Sequence, residues 1–154
     1  MRCSMRKMFY CLLPLFLICA AGCTDYDLEY PDAKANRKVF KIATDLAADS
    51  SVKDVFAYAD EFPGLDPLYC VKFTTTPETV AKIIEKKKMK KTDPSAGDDV
   101  WHFLPDSIEW WNLEDRKDSD CYVAEVKRKG VIEIEYVLWH NPQTGKCHFL
   151  KVYF

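Results

Sequence analysis

At 154 residues the chain has the length of one domain built around a single core. Its 22 lysines and arginines against 24 aspartates and glutamates give a net charge of −2, which excludes nucleic-acid binding driven by a bulk positive field. Aromatic residues reach 14%, so they must serve a core, a binding face, or both.

The first element in chain order is a short basic head with Arg2, Arg6 and Lys7, followed by an apolar run from Met8 to Ile18 and then by small residues. This is the layout of a secretory signal. A membrane-spanning helix fits less well, because the uncharged run from Met8 to Thr24 falls just short of a bilayer span and Pro14 interrupts it. The run closes on Ala20-Ala21-Gly22-Cys23. That tetrad resembles the lipobox of bacterial lipoproteins, with Ala20 standing where Leu is most usual. The resemblance covers the first 23 or so residues. It implies cleavage before Cys23, a thioether-linked diacylglycerol on the Cys23 sulfur and an N-acyl chain such as palmitate. It also implies attachment to the cell envelope; Thr24, in place of an inner-membrane Asp, leans toward the outer membrane facing the periplasm.

Removing residues 1–22 takes away three cations and no acid, leaving 19 cations against 24 acids, a net charge of −5. Cys3, Cys11 and Cys19 leave as well, so only Cys70, Cys121 and Cys147 stay as thiols in an oxidising compartment. With no C-x-x-C anywhere, neither a thioredoxin-like site nor a zinc knuckle is supported. Residues 23–36 are polar and acidic, carrying Asp25, Asp27, Glu29 and Asp32, and read as a tether to a single domain over 37–154.

Within that domain, Val39, Ile42, Ala43, Leu46 and Ala47 line one helical face over Arg37–Ala48. Val52–Ala59 fits either helix or strand, and a strand is favoured because a confident strand, Leu68–Thr75, follows across a Pro-Gly loop. Thr76-Pro77-Glu78 starts a second helix, with Thr76 as cap, Pro77 in the first turn and Glu78 at the positive dipole end. It runs out into Lys86-Lys87-Lys88 and Lys90-Lys91, read as a solvated helix end or, more sharply, as a surface for an anionic partner.

Polar loops then flank Trp101-His102-Phe103-Leu104 and a short turn bearing Trp110 and Trp111. The last third alternates as a three-stranded meander over Cys121–Lys127, Val131–His140 and Lys146–Phe154. A three-residue loop Arg128-Lys129-Gly130 sets the expected pairs Val126–Ile132, Ala124–Ile134 and Tyr122–Tyr136. The predicted fold is therefore α+β in the order α-β-β-α-β-β-β, an antiparallel sheet with two helices packed on one face. The hairpin, the Thr-Pro-Glu start and the Trp-Trp segment before a closing meander are similar to small uncharacterised bacterial lipoprotein domains. That likeness covers about residues 50–154 and brings no known activity.

The residues that could carry chemistry are few. A five-residue loop after His140 would put His140 and His148 on one sheet face, yet no H-e-x-x-h type spacing accompanies them, so no metal or cofactor is expected. Cys147 and His148 are adjacent on a strand and point to opposite faces, which argues against a nucleophile–base pair. G-x-S-x-G and Gly-rich phosphate loops are lacking. Parity of facing allows a Cys70–Cys121 disulfide if their strands are neighbours, whereas Cys121 and Cys147 lie two strand spacings apart. Adjacent tryptophans cannot both point the same way, so of Trp110 and Trp111 one is expected in the core and the other at a rim. These observations favour a non-catalytic binding module with an envelope protein partner, of the inhibitor or immunity type. The alternative is a peptidoglycan-binding module using exposed tryptophans such as Trp110 and Trp111. A hydrolase with an unrecognised site ranks third.

Overall fold

The computed structural model describes residues 29–60, 67–95, 108–112, 116 and 118–154. Eight elements follow in chain order: α1 Lys34–Thr44, β1 Lys53–Asp60, β2 Leu68–Thr74, α2 Pro77–Lys87, β3 Lys90–Thr92, β4 Asp120–Arg128, β5 Val131–His140 and β6 Lys146–Tyr153. The strands form one six-stranded sheet in the order β1-β2-β6-β5-β4-β3, antiparallel at each junction. The α+β class, the N-terminal hairpin, the closing meander and the two helices on one face are all as the sequence pattern predicts. The added element is β3, a three-residue edge strand where the sequence reading ran the second helix onward.

Both helices end one or two turns sooner than periodicity suggests. Asp45 takes the left-handed conformation (φ 60°) and its N–H donates to the Lys41 carbonyl, closing α1. Lys88 does the same (φ 55°) for α2: its N–H reaches Glu85 and the Met89 N–H reaches Ile84, a Schellman motif. Met89 then packs into the core and the chain leaves as β3. At the other end of α2, Thr76 occupies the cap position without a side-chain bond to the backbone. Its hydroxyl bonds the Glu78 carboxylate instead, the main cause of that carboxyl's lowered pKa.

Residues ahead of Arg37 also pack against β1. The Asp32 carboxylate accepts from Arg37 at 2.7 Å and from the N–H groups of Asp54 and Val55 at 3.0 and 3.4 Å, while its own N–H donates to the Val55 carbonyl. Asn36, fully buried, donates to Val55 and Tyr30 carbonyls. The stretch from Tyr30 to Asn36, expected as tether, is thus stitched to the edge of β1. Acidic composition suggested a solvated linker, but here one acid serves as a bracket for strand amides.

Two cores sandwich the sheet. On the helix face, Val39, Phe40, Val80 and Ile83 meet Val55, Ala57, Tyr69, Val71, Phe73, Leu138 and Phe149. On the opposite face, Ile108 and Trp111 cover Cys70, Cys121, Val137, Trp139, Leu150 and Val152. Strand β6 is therefore buried on both sides from Cys147 to Val152. The β4–β5 turn is tighter than expected: Arg128 pairs with Val131, and Lys129 and Gly130 both have positive φ (51° and 84°), the signature of a two-residue hairpin loop. A bulge between Val126 and Lys127 then shifts the ladder, so Val126 pairs with Ile134, Ala124 with Tyr136 and Tyr122 with Leu138. The slip totals two residues, which keeps each side chain on its expected face.

Candidate functional site

The tryptophan segment is a lid on the second core. Trp111 is buried and meets three rings edge-on: Trp110 at 5.8 Å, Trp139 at 6.5 Å and His148 at 5.1 Å between centroids. Trp110 is half-buried and stacks on Phe56 at 5.7 Å and 25°. The Lys72 ammonium holds the segment down through the Trp110 carbonyl at 3.0 Å. Arg116 lies 4.7 Å over the Trp139 ring. Phe56 thus engages one face of the Trp110 ring, while Trp111 is buried. Trp101 and His102 lie outside the described residues, as does Cys23.

The expected Cys70–Cys121 bridge is not formed; Cys70, Cys121 and Cys147 are buried and none is in a disulfide. The sheet order explains it. Strands β6 and β5 stand between β2 and β4, about 14 Å at ~4.8 Å per spacing, well past disulfide reach. Cys147 faces the helix core while the other two face the tryptophan core. Burial alone pushes the Cys70 and Cys147 thiols up, far from the range of a reactive thiolate.

The histidines separate for a similar reason. Asn141 closes the last turn: its N–H donates to Lys146, its carbonyl accepts from Gly145, and its side chain caps the Gln143 and Thr144 amides at 3.0 Å each. The register becomes His140 opposite Cys147 and Trp139 opposite His148. This differs by one residue from the expected pairing and sends the two imidazoles to opposite faces. Among the described residues, no group of three His, Cys, Asp or Glu could hold a metal ion. Burial pulls the His140 pKa down, with the Asp120 charge opposing.

A third cluster was not foreseen. Three lysines converge on the C-terminal end of α1. Lys86 Nζ donates to the Asp45 carbonyl at 2.6 Å, Lys87 Nζ to the Asp45 carboxylate at 2.5 Å, and Lys151 Nζ to the Ile42 carbonyl at 3.3 Å. The negative end of the α1 dipole and its orphan carbonyls account for the convergence. Lys87 also lies 4.5 Å over the Tyr136 ring, and Lys151 sits between Tyr69 and Tyr153 at 5.2 and 5.0 Å. Burial lowers the Lys87 pKa, the Asp45 bond opposes it, and the charges of Lys151 and Lys86 add to the depression. The lysine run is thus neither a wholly solvated helix end nor a continuous cationic patch. Lys87 is a core residue, and Lys91 is spent on Asp120 at 2.7 Å. The sequence signal available was Lys151 itself, a cation in the inward register of Phe149 and Tyr153.

Together these features define an antiparallel α+β domain with a core on each face of its sheet, in which the three described cysteines, His140 and His148 are buried. Compared with protein-family models, curated proteins and solved structures, the chain matches none.

Proposed function

We propose that the chain is a lipid-anchored bacterial cell-envelope protein whose folded domain works by binding a protein partner rather than by catalysis, in the manner of an inhibitor or immunity protein. Ala20-Ala21-Gly22-Cys23 supports the anchor, with the two acyl chains of the diacylglycerol already supplying the hold that one chain would not. The outer membrane, facing the periplasm, is the proposed site. The observation that carries the binding reading is where the reactive residue types sit. Among the described residues, the three thiols and the imidazoles of His140 and His148 are buried, so these candidate nucleophiles and bases are engaged in packing.

The anchor is tested by feeding labelled palmitate to bacteria that express the intact chain. Label and membrane retention are expected for the wild type and lost in Cys23→Ser. Label on the variant, or an unlabelled wild type, overturns it. For the partner, in-cell crosslinking of the intact chain should trap one discrete envelope protein. Co-sedimentation with purified peptidoglycan that Trp110→Ala abolishes would replace this reading with the glycan-binding one.

A further inference from the structure

The two edges of the sheet are finished differently. On β1 the start of the edge is taken up within the molecule: a register shift between Lys53 and Phe56, Asp54 at φ 53°, the Asp32 bonds to Asp54 and Val55, and the Asn36 bond to Val55. On β4, among the described residues, β3 pairs with Cys121 to Val123 and no further. Beyond it Glu125, Val126, Lys127 and Arg128 are exposed, with Val126 at 43%. An unpaired edge is a template for another strand unless the chain blocks it.

We propose that this edge pairs with the same edge of a second copy, antiparallel and two-fold symmetric about Val126, extending the sheet across the dimer. The backbone direction supports that centre. Arg128 closes a two-residue hairpin with Val131, and such a closing pair turns its N–H and C=O toward its partner strand. Alternation along β4 then aims the groups of Glu125 and Lys127 outward. Pairing about Val126 sets Glu125 of each copy opposite Lys127 of the other, bonded by those outward groups, and Val126 opposite Val126 on the helix face. The segment is therefore complementary to itself in charge, as an isologous contact requires.

Two further features agree. Within one copy, Glu125 stands directly opposite Glu135, an unfavourable like-charge pair that a second cation beside Glu125 relieves; Lys127 already reaches Glu125 at 2.6 Å within the strand. The end of the sheet beside this edge also exposes Val131 at 67% and Phe154 at 51%, apolar area that a neighbour can cover. A contact of about five residues per copy is small beside stable interfaces of ~1,200–2,000 Å², so the dimer depends on concentration.

The test is oxidative crosslinking of the intact chain in cells. Val126→Cys should yield a disulfide-linked dimer, because the two Val126 positions are directly opposed, whereas Arg128→Cys, opposed to Ala124, should not. In the Val126→Cys background, Glu125→Lys or Lys127→Glu should cut the crosslinked fraction roughly tenfold by placing like charges opposite. The double exchange Glu125→Lys with Lys127→Glu should restore it. Equal crosslinking at residues 126 and 128, or single exchanges without effect, overturns the proposal. So does a double exchange that fails to rescue while the domain still melts like wild type.

Discussion

Replacing Gly145 by alanine isolates the contact that ties the last hairpin to the start of α2. Gly145 has φ 71°, its carbonyl accepts from Thr75 N–H at 3.0 Å, and its N–H donates to the Asn141 carbonyl at 2.9 Å. A Cβ there would lie 2.6 Å from the Thr75 carbonyl oxygen, a backbone atom that cannot swing aside. Gly130 is the natural control, because its φ is 84° but nothing lies within 4 Å of its Cβ position. The left-handed conformation costs an alanine ~1–2 kcal/mol, partly offset by a stiffer unfolded chain, for a net of about 1 kcal/mol at Gly130. At Gly145 the clash adds ~1–3 kcal/mol of overpacking and weakens hydrogen bonds of ~1 kcal/mol each. The expected loss there is about 3–5 kcal/mol. For a domain of this size, 1 kcal/mol corresponds to roughly 4 °C. Melting followed by circular dichroism should then show a fall of ~12–20 °C for Gly145→Ala against ~4 °C for Gly130→Ala. Equal shifts would refute the close approach of the two segments.

Trp111→Ala should cost about 3–5 kcal/mol in urea unfolding, as the ring bridging Trp110, Trp139 and His148 is lost. Trp110→Ala, removing a half-buried ring, should cost less, and the reverse order would contradict the lid arrangement. Asp45→Asn strands the buried Lys87 ammonium and should destabilise by about 1–3 kcal/mol, whereas Lys87→Met leaves Asp45, 54% exposed, free to rehydrate and should change stability by less than ~1 kcal/mol. The comparison is a pair of denaturant curves, and a costlier Lys87→Met would count against a desolvated cation. Because burial lowers the His140 pKa, the unfolded chain binds the extra proton first as pH falls. Stability should therefore decline below pH ~6.5 and level off beneath the folded-state value. His140→Gln should flatten that limb, and an unchanged pH profile would show that another group governs it.

The strands were readable because alternation is a strong signal wherever one face is apolar, as in Ile132, Ile134, Tyr136 and Leu138. The helix ends were not, because their left-handed caps are Asp45 and Lys88 rather than glycine, the residue that usually marks such a position. Register at the two hairpins turned on single residues: the two-residue loop at Lys129-Gly130 and the side-chain bracket of Asn141 each moved the ladder. The first slip was even and harmless to facing. The second was odd and dissolved the supposed histidine pair. Sheet order lies beyond local pattern altogether: β6 inserts between β2 and β5, and that insertion is what defeats the Cys70–Cys121 bridge although both thiols face the same core. Of the candidate aromatics, the sequence placed Trp110 and Trp111 in one segment but gave no sign that Phe56 would stack on one face of Trp110.

The position of β6 governs the order of assembly. Strand β6 follows the other described strands in the chain, yet both halves of the sheet require it, since β2 reaches β5 only through it. A nascent chain lacking residues 146–153 has two separate hairpin units, each with an open apolar flank and neither core complete. Such contacts, distant in sequence, form slowly and late. The domain thus cannot complete either core until residues 146–153 are in place between β2 and β5.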